Sequence, residues 1–230
     1  MPAPTLLPPD PAVAPAHPRA VVLMLHGGAQ RGLREVGGRS ASLWRTRRMR
    51  EVLEPRLAEA GVATHLLQFA VRGWNACLDN EPSPVPDARW ALQEVARAHP
   101  GTPMVMLGHS MGARTAVRAA AHPAVVGVVG LAPWLEPDDP VDALAGRHLL
   151  VGHGSRDKIT SAKASWAYVQ RARPLTASAD FADLGRLGHY MLARQDVWND
   201  FAHDAVLDVL DRADVSGPGG TGPRDHSHQE

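Results

Sequence analysis

The chain has 230 residues, a formal net charge of +0 and one cysteine. This length fits one α/β domain with a core large enough to need no disulfide or metal to hold it together. Balanced charge gives no electrostatic case for nucleic acid or an anionic membrane as partner, and the lone Cys77 excludes an internal disulfide framework.

Residues 1–19 form a proline-rich arm, "MPAPTLLPPDPAVAPAHPR". Proline removes backbone donors and forbids helix, so the arm is expected to lie along the surface or to stay disordered. It has neither a basic n-region nor an apolar h-region, and no later run approaches the ~20 apolar residues of a membrane span. A cytoplasmic protein is the expectation.

From residue 20 to 213, strand-like and helix-like segments alternate. Ala20–Leu25 is a continuous apolar run, as in a strand covered on both faces. Leu43–Ala60 has helical spacing and stops at Gly61, with Pro55 as a candidate kink. A strand at Ala63–Val71 and a helix at Val85–His99 follow. The third strand is Met104–Leu107 and the third helix Met111–Ala121. Strands at Val125–Leu131 and Arg147–Val151 flank a short helix or loop near Val141–Ala145. A helix at Ser161–Ala172, a weaker strand at Ala177–Ala182 and a closing amphipathic helix at Val197–Arg212 complete the pattern. Residues 214–230, rich in Gly and Pro, read as a disordered tail, and His226 and His228 there as solvated rather than metal-binding. The alternation predicts a mostly parallel sheet of about six strands with helices on both faces, joined by right-handed crossovers.

The third strand runs into Gly108-His109-Ser110-Met111-Gly112. A serine on a tight strand-to-helix turn is pushed clear of the backbone, and glycine on either side avoids a Cβ collision. The helix behind it points its positive end at the same spot. Such a serine needs a histidine to take its proton and a carboxylate to hold that histidine, in the chain order serine, acid, histidine. Asp157, in "VGHGSRDKIT" after the fifth strand, and His189, in "LGRLGHYML" after the sixth, supply them. Two bland roles compete for Asp157: capping the helix near Ser161, or pairing with Lys158. Asp138 and Asp139 are rival acids. His153 is expected to pack or hydrogen-bond near the acid loop. For an oxyanion, the backbone N–H groups of Met111 and Gly28 are the expected donors, with Ala29 as the alternative. His109, Trp134 and Tyr190, with Trp74, are candidates to line a substrate cleft. Cys77 sits in a loop-like stretch without strand-to-turn context and is a weak nucleophile candidate.

Taken together, His26-Gly27-Gly28, the Ser110 turn, the Asp157 loop and Gly188-His189 resemble the α/β-hydrolase superfamily, in particular its small bacterial serine hydrolases. The resemblance runs from about Ala20 to Arg212. It implies an esterase-like enzyme acting on a small-molecule ester or acyl substrate, with no metal and no organic cofactor. Monomer and homodimer both remain open. Perhydrolase, haloperoxidase-like and acyltransferase chemistry would use the same three residues, and a non-catalytic ligand binder is the alternative of a different class. Two departures from larger relatives are expected. "PWLEPDDPVDALAGR" leaves no room for a helical cap after the fourth strand, and the prolines of the arm leave little room for a leading antiparallel hairpin. The loop Gln30–Ser42 is then the segment expected to cover part of the site. Its Arg31, Arg34 and Arg39, with Arg45, Arg47 and Arg48, read either as a solvated face or as recognition of a substrate carboxylate or phosphate.

Overall fold

The computed structural model describes residues 2–76 and 81–215, so Cys77, His226 and His228 lie outside the described residues. Seven strands form one sheet: β1 (Thr5–Leu7), β2 (Ala20–Leu25), β3 (Val62–Gln68), β4 (Met104–His109), β5 (Val125–Leu131), β6 (His148–His153) and β7 (Ser178–Asp183). Five α-helices accompany them: α1 (Ala41–Glu59), α2 (Pro84–Ala98), α3 (Met111–Ala119), α4 (Ala162–Ala172) and α5 (Gln195–Arg212). The strand order is β1-β3-β2-β4-β5-β6-β7, and every pairing is parallel except that of β1 with β3.

The central strands read as unbroken apolar runs because both faces are covered: every residue of β2 and of β4 is buried. The parallel strands start inside the sheet: the chain steps from β2 out to β3, and then crosses back to β4 on the other side of β2. Right-handed crossovers in opposite directions put their helices on opposite faces. Accordingly α2 packs on α3, whereas the closing α5 packs on α1 and across β5 and β6. Trp198 is the largest side chain that α5 buries, and Ala202, Ala205, Val206, Val209 and Leu210 join it. Pro55 lies inside α1 without ending it.

The sheet differs from expectation at its edge. The arm supplies a seventh strand, with Thr5, Leu6 and Leu7 opposite Gln68, Leu67 and Leu66. Its prolines flank this stretch rather than interrupt it, and an edge strand needs donors on one side only. The arm is also pinned to α1: Asp10 N–H donates to Glu54 (2.8 Å), and Arg50, which pairs with Glu54, donates to the Pro8 carbonyl (2.5 Å). As expected, β5 and β6 are joined without a cap. Between them lies one 3₁₀ turn at Asp142–Leu144.

The step from β3 back across β2 is a topological switch point, where open parallel sheets form a crevice beyond the strands' carboxyl ends. Leu25 at the end of β2 is level with Gly108 in β4, so the segments that follow the two strands leave side by side.

Candidate active site

Ser110 sits where β4 ends and α3 begins, at φ 54° and ψ −116°. A non-glycine residue there is strained, and such strain persists only where its surroundings impose it. The surroundings are two backbone contacts that only glycine permits. A Cβ on Gly108 would lie 2.4 Å from the Ala113 nitrogen, and one on Gly112 would lie 2.3 Å from the Leu25 carbonyl oxygen. The turn is locked further by Ser110 N–H donating to Leu131 and by its carbonyl accepting from Trp134 N–H.

Loops from two other strand ends meet this serine. His189 Nε2 lies 3.0 Å from Ser110 Oγ, and its Nδ1 lies 2.7 Å from Asp157 Oδ2. All three side chains are nearly withdrawn from solvent. The Asp157 carboxylate is held by five donors. Oδ1 accepts the Ile159 and Thr160 amides at 2.7 and 2.9 Å. Oδ2 accepts His189 Nδ1–H, Thr160 Oγ1–H at 2.8 Å and His153 Nε2–H at 3.2 Å. Burial alone would raise the carboxyl pKa, but the bonds from His153, His189 and the two amides outweigh it and hold the group well below the ordinary carboxylate range. With Oδ2 acting only as an acceptor, His189 carries its proton on Nδ1 and turns the Nε2 lone pair toward Ser110.

The two rival acids take other places. Asp139 is fully buried and pairs with Arg114 (2.8 Å) and Arg118 (2.6 Å), both on α3. Asp138 is exposed. Neither bland role applies to Asp157: Ser161 caps α4 by accepting from Ala164 N–H, and the ion pairs of Asp157 go to His153 and His189.

Between β2 and α1 the chain passes the serine. An added Cβ on Gly27 would be 3.4 Å from Ser110 Cβ, and one on Gly28 would be 2.4 Å from the Met111 thioether and 2.6 Å from the Arg72 carbonyl. Among the described residues the N–H groups of Gly28 and Met111 have no hydrogen-bond partner, whereas the Ala29 N–H donates to Arg72 at 2.8 Å. That difference favours Gly28 over Ala29 as an oxyanion donor. His26 fixes the start of this loop: its Nδ1–H donates to the Gly27 carbonyl (2.6 Å) and its Nε2 accepts from Phe69 N–H (3.2 Å). Burial pushes its pKa down to about 4, which keeps the ring neutral and Nε2 an acceptor.

The remaining candidates take other places. His109 is buried and donates from Nε2 to the His189 carbonyl (3.0 Å), its pKa pushed down to about 3 by burial first and by neighbouring His189 second. It braces the histidine loop rather than lining a cleft. Trp134 and Trp74, edge-on to each other with ring centres 5.9 Å apart, both contact the Arg114 guanidinium, at 4.4 and 4.5 Å, and Trp134 Nε1–H bonds Glu136. The half-exposed Tyr190 packs edge-on against His189 and lies under Arg45, 5.0 Å from its ring centre. Thr160 was not anticipated. The signal for it is the spacing Asp157-x-x-Thr160 before a helix cap, in which an Asx turn folds the hydroxyl back onto the carboxylate. No helix among the described residues is long and apolar enough to cross a membrane.

Residues 73–149, which include Ser110, match the family model described as serine aminopeptidase, S33. No curated protein matches the chain in sequence. Solved structures match it in fold. A lidless α/β serine hydrolase from Xanthomonas campestris is 17% identical, with a TM-score of 0.62 over 89% of this chain and 88% of its own. The esterase Est2 from Thermogutta terrifontis, solved with propionate bound, is 16% identical with a TM-score of 0.68 over 94% and 92%. Est1E from Butyrivibrio proteoclasticus, solved with ferulic acid, is 15% identical with a TM-score of 0.65 over 90% and 96%.

Proposed function

We propose that this chain, a serine hydrolase of the α/β-hydrolase superfamily, cleaves a carboxylic ester of small to medium size through Ser110, His189 and Asp157. The observation that carries the reading is the relay from Asp157 to His189 (2.7 Å) to Ser110 (3.0 Å), with the serine strained into position at the end of β4. Ser110 Oγ attacks the ester carbonyl as His189 Nε2 takes its proton, and Asp157 stabilises the imidazolium that forms. The free amides of Gly28 and Met111, at the positive end of α3, stabilise the oxyanion of the tetrahedral intermediate. His189 then protonates the departing alkoxide, leaving an acyl group on Ser110. Water attacks that acyl carbonyl, giving its proton to His189, and the second intermediate collapses to release the acid and the free serine.

The absence of a cap between β5 and β6 favours short and medium acyl chains over long lipids. The test is hydrolysis of p-nitrophenyl esters from two to twelve carbons by wild type and Ser110→Ala. Loss of the nucleophile should lower kcat by on the order of 10⁴-fold or more. Unchanged turnover in Ser110→Ala would overturn the assignment, and best turnover on long-chain triglycerides would overturn the size preference. The aminopeptidase family match makes aminoacyl p-nitroanilides the second substrate set. A cationic α-ammonium is disfavoured, because the walls of the neighbouring cleft carry arginines and no carboxylate.

A further inference from the structure

A cleft of about 230 Å³ opens beside the Gly27-Gly28 segment, between the Gln30–Ser42 loop and the start of α1. Arg45 and Arg72 reach its wall from elements far apart in sequence, with Ser40 and Ser42 between them, and no acidic side chain lines it. The neutral His26 at its floor adds no charge.

Among the described residues other partly buried arginines divide by partner. Arg50 is paired with Glu54, and Arg114 and Arg118 with Asp139. Arg19 and Arg147 each donate to at least two backbone carbonyls, and Arg47 donates to Gln68. Among the described residues no carboxylate lies within ion-pairing distance of Arg45 or Arg72. Arg72 spends one N–H on the Glu35 carbonyl (3.3 Å), and Arg45 rests on the face of Tyr190. Arg45 is more than half withdrawn from water, and that desolvation lowers its pKa. A sheltered cation without a counter-charge costs folding free energy, and an anionic ligand offsets that cost. Both guanidiniums keep donors free in the fork geometry that suits a carboxylate. The exposed Arg34 and Arg39 lie outside this cleft, and Arg47 and Arg48 are occupied by Gln68 and Glu51.

We propose that the cleft between Arg45 and Arg72 binds an anionic group of the substrate, a carboxylate carried several bonds away from the ester that Ser110 attacks. This rests on the ester-hydrolase reading above and narrows it to esters of acidic compounds. The Arg45–Tyr190 contact ties the subsite to the His189 loop, and Gly28 is shared between the subsite and the oxyanion site. An anchored carboxylate therefore fixes the carbonyl where the amides of Gly28 and Met111 can reach it.

The experiment compares matched pairs of esters. Mono-p-nitrophenyl adipate is set against p-nitrophenyl hexanoate, with the charge on the acyl side. The butyrate ester of 4-hydroxybenzoate is set against phenyl butyrate, with the charge on the leaving group. In wild type the kcat/KM ratio of charged to neutral ester should exceed about tenfold in one pair. That ratio should collapse toward one in Arg45→Gln and Arg72→Gln, mainly through KM, and remain in Arg97→Gln, which lies on the exposed end of α2. A second readout needs no turnover: adipate should raise the Tm of wild type and of Ser110→Ala, but not of Arg45→Gln/Arg72→Gln. No charge preference together with no adipate shift would overturn the subsite while leaving the esterase reading standing. An adipate shift in a protein inert on every ester would overturn the esterase reading and keep the anion site.

Discussion

Asp157→Asn is the substitution that bears most directly on the proposed chemistry. It keeps the shape of the side chain and removes the charge. In the folded protein Oδ1 accepts two amides and Oδ2 accepts His189, Thr160 and His153. Asparagine cannot satisfy both ends. If its oxygen stays with the Ile159 and Thr160 amides, its NH₂ faces three donors, and the nearest, His189 Nδ1 at 2.7 Å, must give up its proton to accept. The proton then moves to Nε2, which points a hydrogen at Ser110 instead of a lone pair. The wrong tautomer, with the counter-charge to the imidazolium lost, is worth on the order of 10⁴-fold in kcat, about 5 kcal/mol of transition-state stabilisation. The assay is burst and steady-state release of p-nitrophenol from p-nitrophenyl butyrate at pH 7, with circular dichroism to confirm the folded fraction. A folded Asp157→Asn enzyme that keeps more than a tenth of wild-type kcat would refute the reasoning and reopen the choice of acid.

Other substitutions separate packing from chemistry. Asp139→Ala strands the buried Arg114 and the partly buried Arg118 and should cost about 3–5 kcal/mol in urea unfolding, a loss that a mere helix-surface role for Asp139 would not produce. Gly28→Ala forces a Cβ to within 2.6 Å of the Arg72 carbonyl, so the loop must shift and take the Gly28 amide with it. A fall of about 10²-fold in kcat is expected, and an unchanged kcat would remove Gly28 from the oxyanion site. Acid should weaken the fold. His26 is held at about 4 and His109 at about 3 against an ordinary 6.5, so below pH 6.5 the unfolded chain takes up protons that the native state refuses. Their stabilisation is complete above 6.5 and is lost as pH falls toward 4, up to about 3 kcal/mol for His26 alone. A Tm that stays flat from pH 7 to pH 4.5 would contradict the neutral, buried rings.

Much of this site is written in local sequence. The turn around Ser110 needs glycine at 108 and 112 because backbone passes within a Cβ's reach, and such a steric demand leaves its mark on the residues themselves. Strand runs and helix stops gave the alternation, hence the parallel sheet and the edge from which Asp157 and His189 project. What the chain could not show locally was decided by contacts between distant segments. Asp139 and Asp157 both follow central strands, and only the packing of α3 reveals that Asp139 is consumed by Arg114 and Arg118. Gly28 and Ala29 are adjacent, and only the approach of the 70–73 segment, which takes the Ala29 amide, separates them. The edge strand at Thr5–Leu7 is too short to declare itself and exists because β3 offers it a free edge. Arg45 and Arg72 have no shared pattern in sequence. Their charges become one feature because α1 and the chain beyond β3 close on the same cleft, and local periodicity carries no record of such a meeting.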